Sequence, residues 1–479
     1  MYGYGYKYVN GLVVGSGGAP PVPPFANTKS LSFDGVDDYL SIGATFDATN
    51  GITLSCWVKY DGVGAGLNWL CSSGGTGGVS SQFNTRLVAD GRWVNYYLGS
   101  PKVTGITGLS DGNWHNIIQT VNYSNGDVKF YKDGVVSATV LTYGSTYSTA
   151  KLGGIGGANS SGVYPFKGGV DEVSIFGSVL TPSEIVTVST APTVDLTSLN
   201  PIAWYRNGDN GSWKSPQWLI PNNENKDKVS NYSMNFDGTD QYLNIGAPSV
   251  LSNTSNFSIS CWVKQTTVAI NYRRVFGKVA SASDMIFLGT APTTNYFRFY
   301  IENGGSYSLV ESNVGIGFNV WKHVTLVFDG SLTGNQNRAK IYVDGVNVTA
   351  TDSGTIPATT TADASDFYLG KVNGLGSFYY YGNMDEFAIF DYSLTPAEVL
   401  SISSEPTDLT SLSPTSWLKL GDNSTFAGGV WTVIDEVGSN DGSSVNMDID
   451  DRIGEAPNSE NNGLSFNMDE VDRVTDVPT

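Results

Sequence analysis

The chain has 479 residues, with 26 Lys and Arg against 45 Asp and Glu, a formal net charge of −19. That acidity excludes nucleic acid and anionic membrane surfaces as partners, because phosphates repel it and no basic run offsets it. Apolar residues at 40% exclude wholesale disorder, and 57 glycines with only 15% charged residues describe a turn-rich β protein.

In chain order, residues 1–27 are a Tyr/Gly/Pro-rich arm. Tyr2, Tyr4, Tyr6 and Tyr8 alternate, so an extended strand would carry all four on one face. The arm has neither the basic n-region nor the apolar h-region of a secretory leader, and no later stretch is apolar enough to span a membrane. Synthesis in a cytosol is therefore expected. Residues 28–193 contain SLSFDGVDDYLSIG (30–43), ITLSCWVK (52–59), Trp114, KFYKDG (129–134), GVDEVSIF (169–176) and LTPSEI (180–185). The alternation of Ile52, Leu54, Cys56 and Val58 with Thr53, Ser55, Trp57 and Lys59 predicts a strand with one face inward. Asp133-Gly134 predicts a two-residue hairpin turn. Thr181-Pro182 followed by Glu184 predicts one short capped helix. After a connector at 194–230, opening with DLTSL, the same series returns over 231–405: SMNFDGTDQYLNIG (233–246), FSISCWVK (257–264), Trp321, KIYVDG (340–345), NMDEFAIF (383–390) and LTPAEV (394–399). DLTSL then recurs at 408–412 inside a C-terminal segment, 406–479. That segment ends in a smaller repeat, NDGSSVNMDIDDRIGEAP (440–457) and NNGLSFNMDEVDRVTDVP (461–478), 21 residues apart. The mini-repeat has too few apolar residues to stand alone. It and the arm are expected to order against other subunits, with folding back on their own sandwiches as the alternative. The fold class predicted is all-β: two tandem antiparallel jelly-roll sandwiches with extended terminal segments.

The ordered set FDGVDDYLSIG, SCWVK, NWHNIIQTV, FYKDGV and GGVDEVSIFGSVLTPSEI, with its second copy, resembles laminin-G-like, concanavalin A-type domains. The connector pattern W-x-x-x-G-D-N followed by N-M-D-x-x-D-R resembles segments of virion proteins of marine bacteriophages. The resemblance implies a non-enzymatic bacteriophage virion protein: a fibre, appendage or surface decoration, in contact with other virion proteins, a homo-oligomer, with a host surface glycan as a further partner. Its localisation would be the virion. The alternative is a bacterial cell-surface adhesin or lectin, and a third reading is a glycoside hydrolase. Glucanases of this fold carry two carboxylates on one strand, facing the same way. Here Asp171-Glu172 and Asp385-Glu386 are adjacent, so strict alternation sends them to opposite faces. His115 and His323 follow equivalent tryptophans at different offsets and share no position. No catalytic residue and no required cofactor are assigned.

Asp171 and Asp385 end inward-facing rows and need a partner. The FDG loops are candidate neighbours, which makes Asp34, Asp37, Asp171, Asp237, Asp240 and Asp385 candidate ligands of a structural Ca²⁺. Such an ion is common in laminin-G-like relatives. The alternative is a carboxylate held by backbone N–H groups. Gln241 stands where the first loop has Asp38, which weakens a second site. Phe378, Tyr379, Tyr380 and Tyr381, with Tyr164 in the corresponding loop, are candidate glycan or interface aromatics. Cys56 and Cys261 read as small buried hydrophobes, and with Cys71 they form no disulfide framework.

Overall fold

A computed structural model describes residues 26–478 apart from 63–67, 73–83, 98–99, 143–148, 158–163, 267–272, 306–307, 375 and 377, together with a short strand pair at Tyr8–Val9 and Leu12–Val13. The alternating tyrosines of the arm lie outside the described side chains.

The local signals produce the elements predicted from them. Ile52–Tyr60 and Asn256–Gln265 are the central strands of two eight-stranded antiparallel sheets. Each lies between the strand that carries the acidic pair and the strand that follows the equivalent tryptophan. Asp133-Gly134 and Asp344-Gly345 all take positive φ, as a type I′ turn requires. Thr181 and Thr395 accept from the N–H of Glu184 and Glu398, whose side chains reach back to the capping residue, over helices Pro182–Thr190 and Pro396–Ser401. Facing each eight-stranded sheet is a second one, of nine strands in the first sandwich and ten in the second. Two large apolar cores fill the gaps, one around Leu54, Trp93, Phe130 and Phe166, the other around Ile259, Phe276, Phe299 and Tyr380. Among the described residues no helix is long and apolar enough to cross a membrane. Cys56, Cys71 and Cys261 are buried and free.

The connector and the C-terminal segment are members of these sheets. Ala203–Tyr205 pairs with Lys167–Phe176, and Ser416–Leu418 with Tyr381–Phe390. The hairpins Ser212–Lys214/Gln217–Ile220 and Ser424–Ala427/Val430–Val433 extend the facing sheets. The mini-repeat then divides. Its first copy stays on the second sandwich: Gly442–Val445 pairs with Tyr242–Asn244, and Arg452–Ile453 with Ser233–Asp237. Its second copy crosses to the first sandwich, where Gly463–Phe466 pairs with Tyr39–Asp47 and Arg473–Val474 with Ser30–Asp34. The two seats match atom for atom. Trp218 N donates to Ser465 Oγ (2.7 Å) as Trp431 N does to Ser444 Oγ (2.8 Å), and their indole N–H groups donate to the carbonyls of Asp469 (2.9 Å) and Asp448 (2.7 Å). The expectation that 406–479 orders on another subunit is thus corrected. Two open sandwich edges within the chain supply the apolar surface the mini-repeat lacks, and bury Met468 and Met447 in the two cores.

Candidate functional site

The acidic pairs lie on the strands Lys167–Phe176 and Tyr381–Phe390. Strict alternation fails there. Glu172 and Glu386 adopt left-handed backbone (φ 47° and 48°), and the pairing register shifts at both places. This is a β-bulge, which re-aims a side chain. Both acids of each pair are buried. Glu172 accepts from Trp204 Nε1 (2.5 Å) and Arg206 Nε (2.9 Å). Glu386 accepts from Trp417 Nε1 (2.6 Å), while the counterpart of Arg206, Lys419, lies over the Trp417 ring at 4.5 Å. Asp171 accepts from Asn27 Nδ2 (2.7 Å), and Asp385 from Ser230 Oγ (2.7 Å). Burial first, then the neighbouring glutamate's charge, pushes both aspartates far above the usual carboxylate range. A raised carboxyl suits a glycosidase's acid, but Asp171 and Asp385 are fully buried, and the glutamates beside them bond the connector tryptophans.

Asp171 and Asp385 do not meet the FDG loops. They meet the residues through which the chain enters each sandwich, Asn27 and Ser230, because Lys167, not Asp171, is the residue paired with Asp34. The expected six-residue ligand set is therefore split. Asp34 and Asp37 group instead with Asp38, their carboxylate oxygens within 4.8 Å of one another, and this is the one such acidic or metal-ligating group among the described residues. Asp38 is buried and accepts from Asp34 N (2.9 Å). Burial, then the charges of Asp34, Asp472 and Asp37, push its carboxyl up to about 7 against the backbone bond's opposing pull. In the second loop Gln241 takes the same backbone bond from Asp237 N (2.9 Å) and donates Nε2 to Asp451 Oδ2 (2.8 Å). Asp237 there accepts from Thr239 N (2.8 Å), and Asp240 joins no such group. A hard cation fits the all-oxygen donors of the first loop. It does not fit the second, where the amide already neutralises the contact.

The aromatic run at 378–381 has no common fate. Tyr380 is the counterpart of Phe166, and both lie in their cores, edge-on to Phe236 and Phe33. Tyr380 is thus removed as a surface contact. Tyr379 and Tyr381 are half-buried, and the Tyr379 carbonyl accepts from Arg273 Nη1 (3.0 Å). Phe378 is matched to Tyr164 by the backbone: Arg274 N donates to the Phe378 carbonyl (3.2 Å) as Trp69 N does to that of Tyr164 (3.1 Å). Around Tyr164 the outer face of the nine-stranded sheet carries an aromatic row that sequence reasoning missed. Tyr164, 39% exposed, lies 6.5 Å from Trp69, which lies 5.1 Å from Tyr96, whose hydroxyl accepts from Arg86 Nη1 (2.8 Å). Trp69 and Arg86 are cross-strand partners and face away from the core residues Leu70 and Leu87. In the second sandwich the same place is closed, with Arg274 buried over Phe287 (4.7 Å) and beside Phe378 (5.6 Å). A polar cleft of about 740 Å³ between the sandwiches, lined by Trp262, Trp321, Asn222 and Asn458 among others, was likewise not foreseen. Its residues come from seven separate stretches of the chain.

Comparison with known proteins agrees with this architecture. A family model described as the concanavalin A-like lectin/glucanases superfamily matches residues 34–186 and 237–400. The Sushi, von Willebrand factor type A, EGF and pentraxin domain-containing protein 1 of Rattus norvegicus is 25% identical over 189 residues, which are 36% of this chain and 5% of that protein. The chain therefore spans only a small part of the curated relatives it matches. Among solved structures, a candidate carbohydrate-binding protein from Bacteroides ovatus is 13% identical at a TM-score of 0.36, covering 88% of this chain and 94% of its own. Domains LG4-5 of the mouse laminin alpha1 chain are 13% identical at 0.28, covering 79% and 93%. Since the family model matches more than half of its residues, in two successive copies, the chain belongs to the concanavalin A-like lectin/glucanase superfamily.

Proposed function

We propose that the protein is a non-catalytic, glycan-contacting structural protein of a bacteriophage virion. The observation that carries the binding reading is the exposed row Tyr164–Trp69–Tyr96 on the outer face of the first sandwich. Half-exposed rings on a rigid sheet are unfavourable in water and suit the apolar face of a sugar ring. The non-catalytic reading is supported by the acidic pairs, which are buried and accept hydrogen bonds from tryptophan, arginine, asparagine and serine side chains. The virion reading rests on the resemblance of the connector pattern to segments of bacteriophage virion proteins. A structural Ca²⁺, where one is held, belongs to Asp34, Asp37 and Asp38 of the first loop. The test has two arms. Mass spectrometry and immunogold labelling of purified particles should find the chain on the virion, and detection only on uninfected bacterial cells would make it a surface adhesin. A glycan array probed with the full chain should give binding, and release of reducing ends from any bound glycan would overturn the non-catalytic reading.

A further inference from the structure

The aromatic row of the first sandwich ends on a cation that has no counter-ion among the described residues. Arg86 is half-buried, donates Nη1 to Tyr96 Oη, and forms no ion pair among the described residues. In a chain of net charge −19 this is notable, since the nearby Arg92 is paired to Asp90. Its Nε is buried with no hydrogen-bond partner among the described residues, and so is the Nε1 of its cross-strand neighbour Trp69. Both atoms can only donate. A donor left unpaired in this way costs of the order of 1–3 kcal/mol. The row therefore combines ring faces with a guanidinium that forms no ion pair among the described residues, on one sheet face. The second sandwich is an internal comparison: there Arg274 takes the place of Trp69 and is sunk among Phe287, Tyr300 and Phe378, and Gly289 stands across from it where the first sandwich has Arg86.

We infer that the face formed by Tyr164, Trp69, Tyr96 and Arg86 binds a carboxylate-bearing saccharide. A pyranose ring stacks on Tyr164 and Trp69, and the sugar carboxylate takes the guanidinium edge that Tyr96 leaves open. The planar fork of arginine favours a carboxylate over a hydroxyl, and the row fixes the distance between the stacked ring and that charge. A neutral sugar would gain the stacking alone. This inference rests on the glycan-contacting reading above and adds the ligand class and the site.

The test is titration calorimetry of the full chain with trigalacturonate and 3′-sialyllactose, using cellotriose and lactose as neutral controls, at low and at 0.5 M NaCl. At least one acidic probe should bind ten times or more tighter than its neutral control, and the gap should shrink in salt. Arg86→Gln should abolish the gap, and Trp69→Ala, which removes the stacking ring, should weaken acidic and neutral binding alike by several-fold. Both variants should melt within a few degrees of the parent. Equal binding of acidic and neutral probes, unchanged by R86Q, would overturn the inference and leave the glycan reading standing. Binding lost in Trp321→Ala but kept in R86Q would move the site to the inter-sandwich cleft and also overturn it. Failure of every saccharide to bind would remove both.

Discussion

Replacing Asp38 with Gln should stabilise the first sandwich, because it installs the contact that the second sandwich already has. In the parent chain Asp38 is 3% exposed and faces Asp34, Asp37 and Asp472. Its counterpart Gln241 faces Asp451, the equivalent of Asp472 one mini-repeat earlier, and donates to it at 2.8 Å. The Asp38 carboxyl is pushed from 3.8 to about 7. A group whose folded-state value lies above its unfolded one favours the fold when protonated. That contribution is present below pH 4 and is lost as the pH rises to about 7. At 1.36 kcal/mol for each unit the loss is at most about 4 kcal/mol. Even a quarter of it would shift the melting temperature of a domain this size by roughly 2–4 °C. The assay is urea and thermal unfolding of D38Q and parent between pH 4 and 8 in EDTA. The two should be nearly equal at pH 4, with D38Q increasingly the more stable up to pH 7–8. Repeating the series in Ca²⁺ examines the cation reading, in which the parent gains stability and the variant does not. A stability difference in EDTA that is flat in pH, or of opposite sign at pH 8, would refute the reasoning.

Three further outcomes are expected. Arg206→Ala should cost about 3 kcal/mol by chemical denaturation, since it strips a charge partner from buried Glu172, whereas Lys419→Ala should cost under about 1 kcal/mol, because Lys419 rides on Trp417 and gives Glu386 no hydrogen bond. His323 is buried, and burial holds its imidazole down to about 3. Stability should therefore fall as pH drops below 6.5, and His323→Asn, which installs the residue found at the matching position Asn116, should flatten that fall in a pH series of melting temperatures. Deleting 461–479 should raise hydrogen exchange in 30–47 and 217–220 but not in 233–246, and equal protection in both sandwiches would contradict the seating of the second mini-repeat.

What was legible in the sequence was local or repeated. The Asp-Gly turns, the two capping boxes and the central strands follow from residues within a few positions of one another, and each occurs twice. The bulge at Glu172 and Glu386 was not legible. A glutamate in left-handed backbone has no local signature, and alternation assumes an unbroken ladder. That missed bulge misplaced the acidic pair, whereas the proposed contact between Asp171 and the FDG loop failed on register, because Lys167 is the residue paired with Asp34. Trp204 and Trp417 were visible as repeated tryptophans, but their service to the acids depends on strands more than 30 residues away. Tyr380 could have been found. Matching it to Phe166 places it in the core, because both stand two residues after the aromatic that carries the outer face.

The mini-repeat raises a problem of specificity that the structure resolves by chain order. Its two copies share Ser, Asn, Met, Asp and Arg at equal spacing, and the two seats offer matching tryptophans, so composition alone barely separates the correct pairing from the exchanged one. The first copy follows the hairpin Val430–Val433 after only eight residues, and Thr432 pairs with Ser443. A closure that short is reached early and at small entropic cost, whereas joining Gln217–Ile220 to Gly463–Phe466 closes a loop of more than 240 residues. The second seat is therefore filled locally, and the last copy meets only the first seat empty. Side chains reinforce this order, since Phe466 stacks on Tyr39 at 5.1 Å and the first copy has Val445 in its place. The unfavourable Asp38–Asp472 approach is then tolerated because no competing strand remains for that edge. The first sandwich therefore takes its closing strands from the end of the chain, and those strands tie the two domains together.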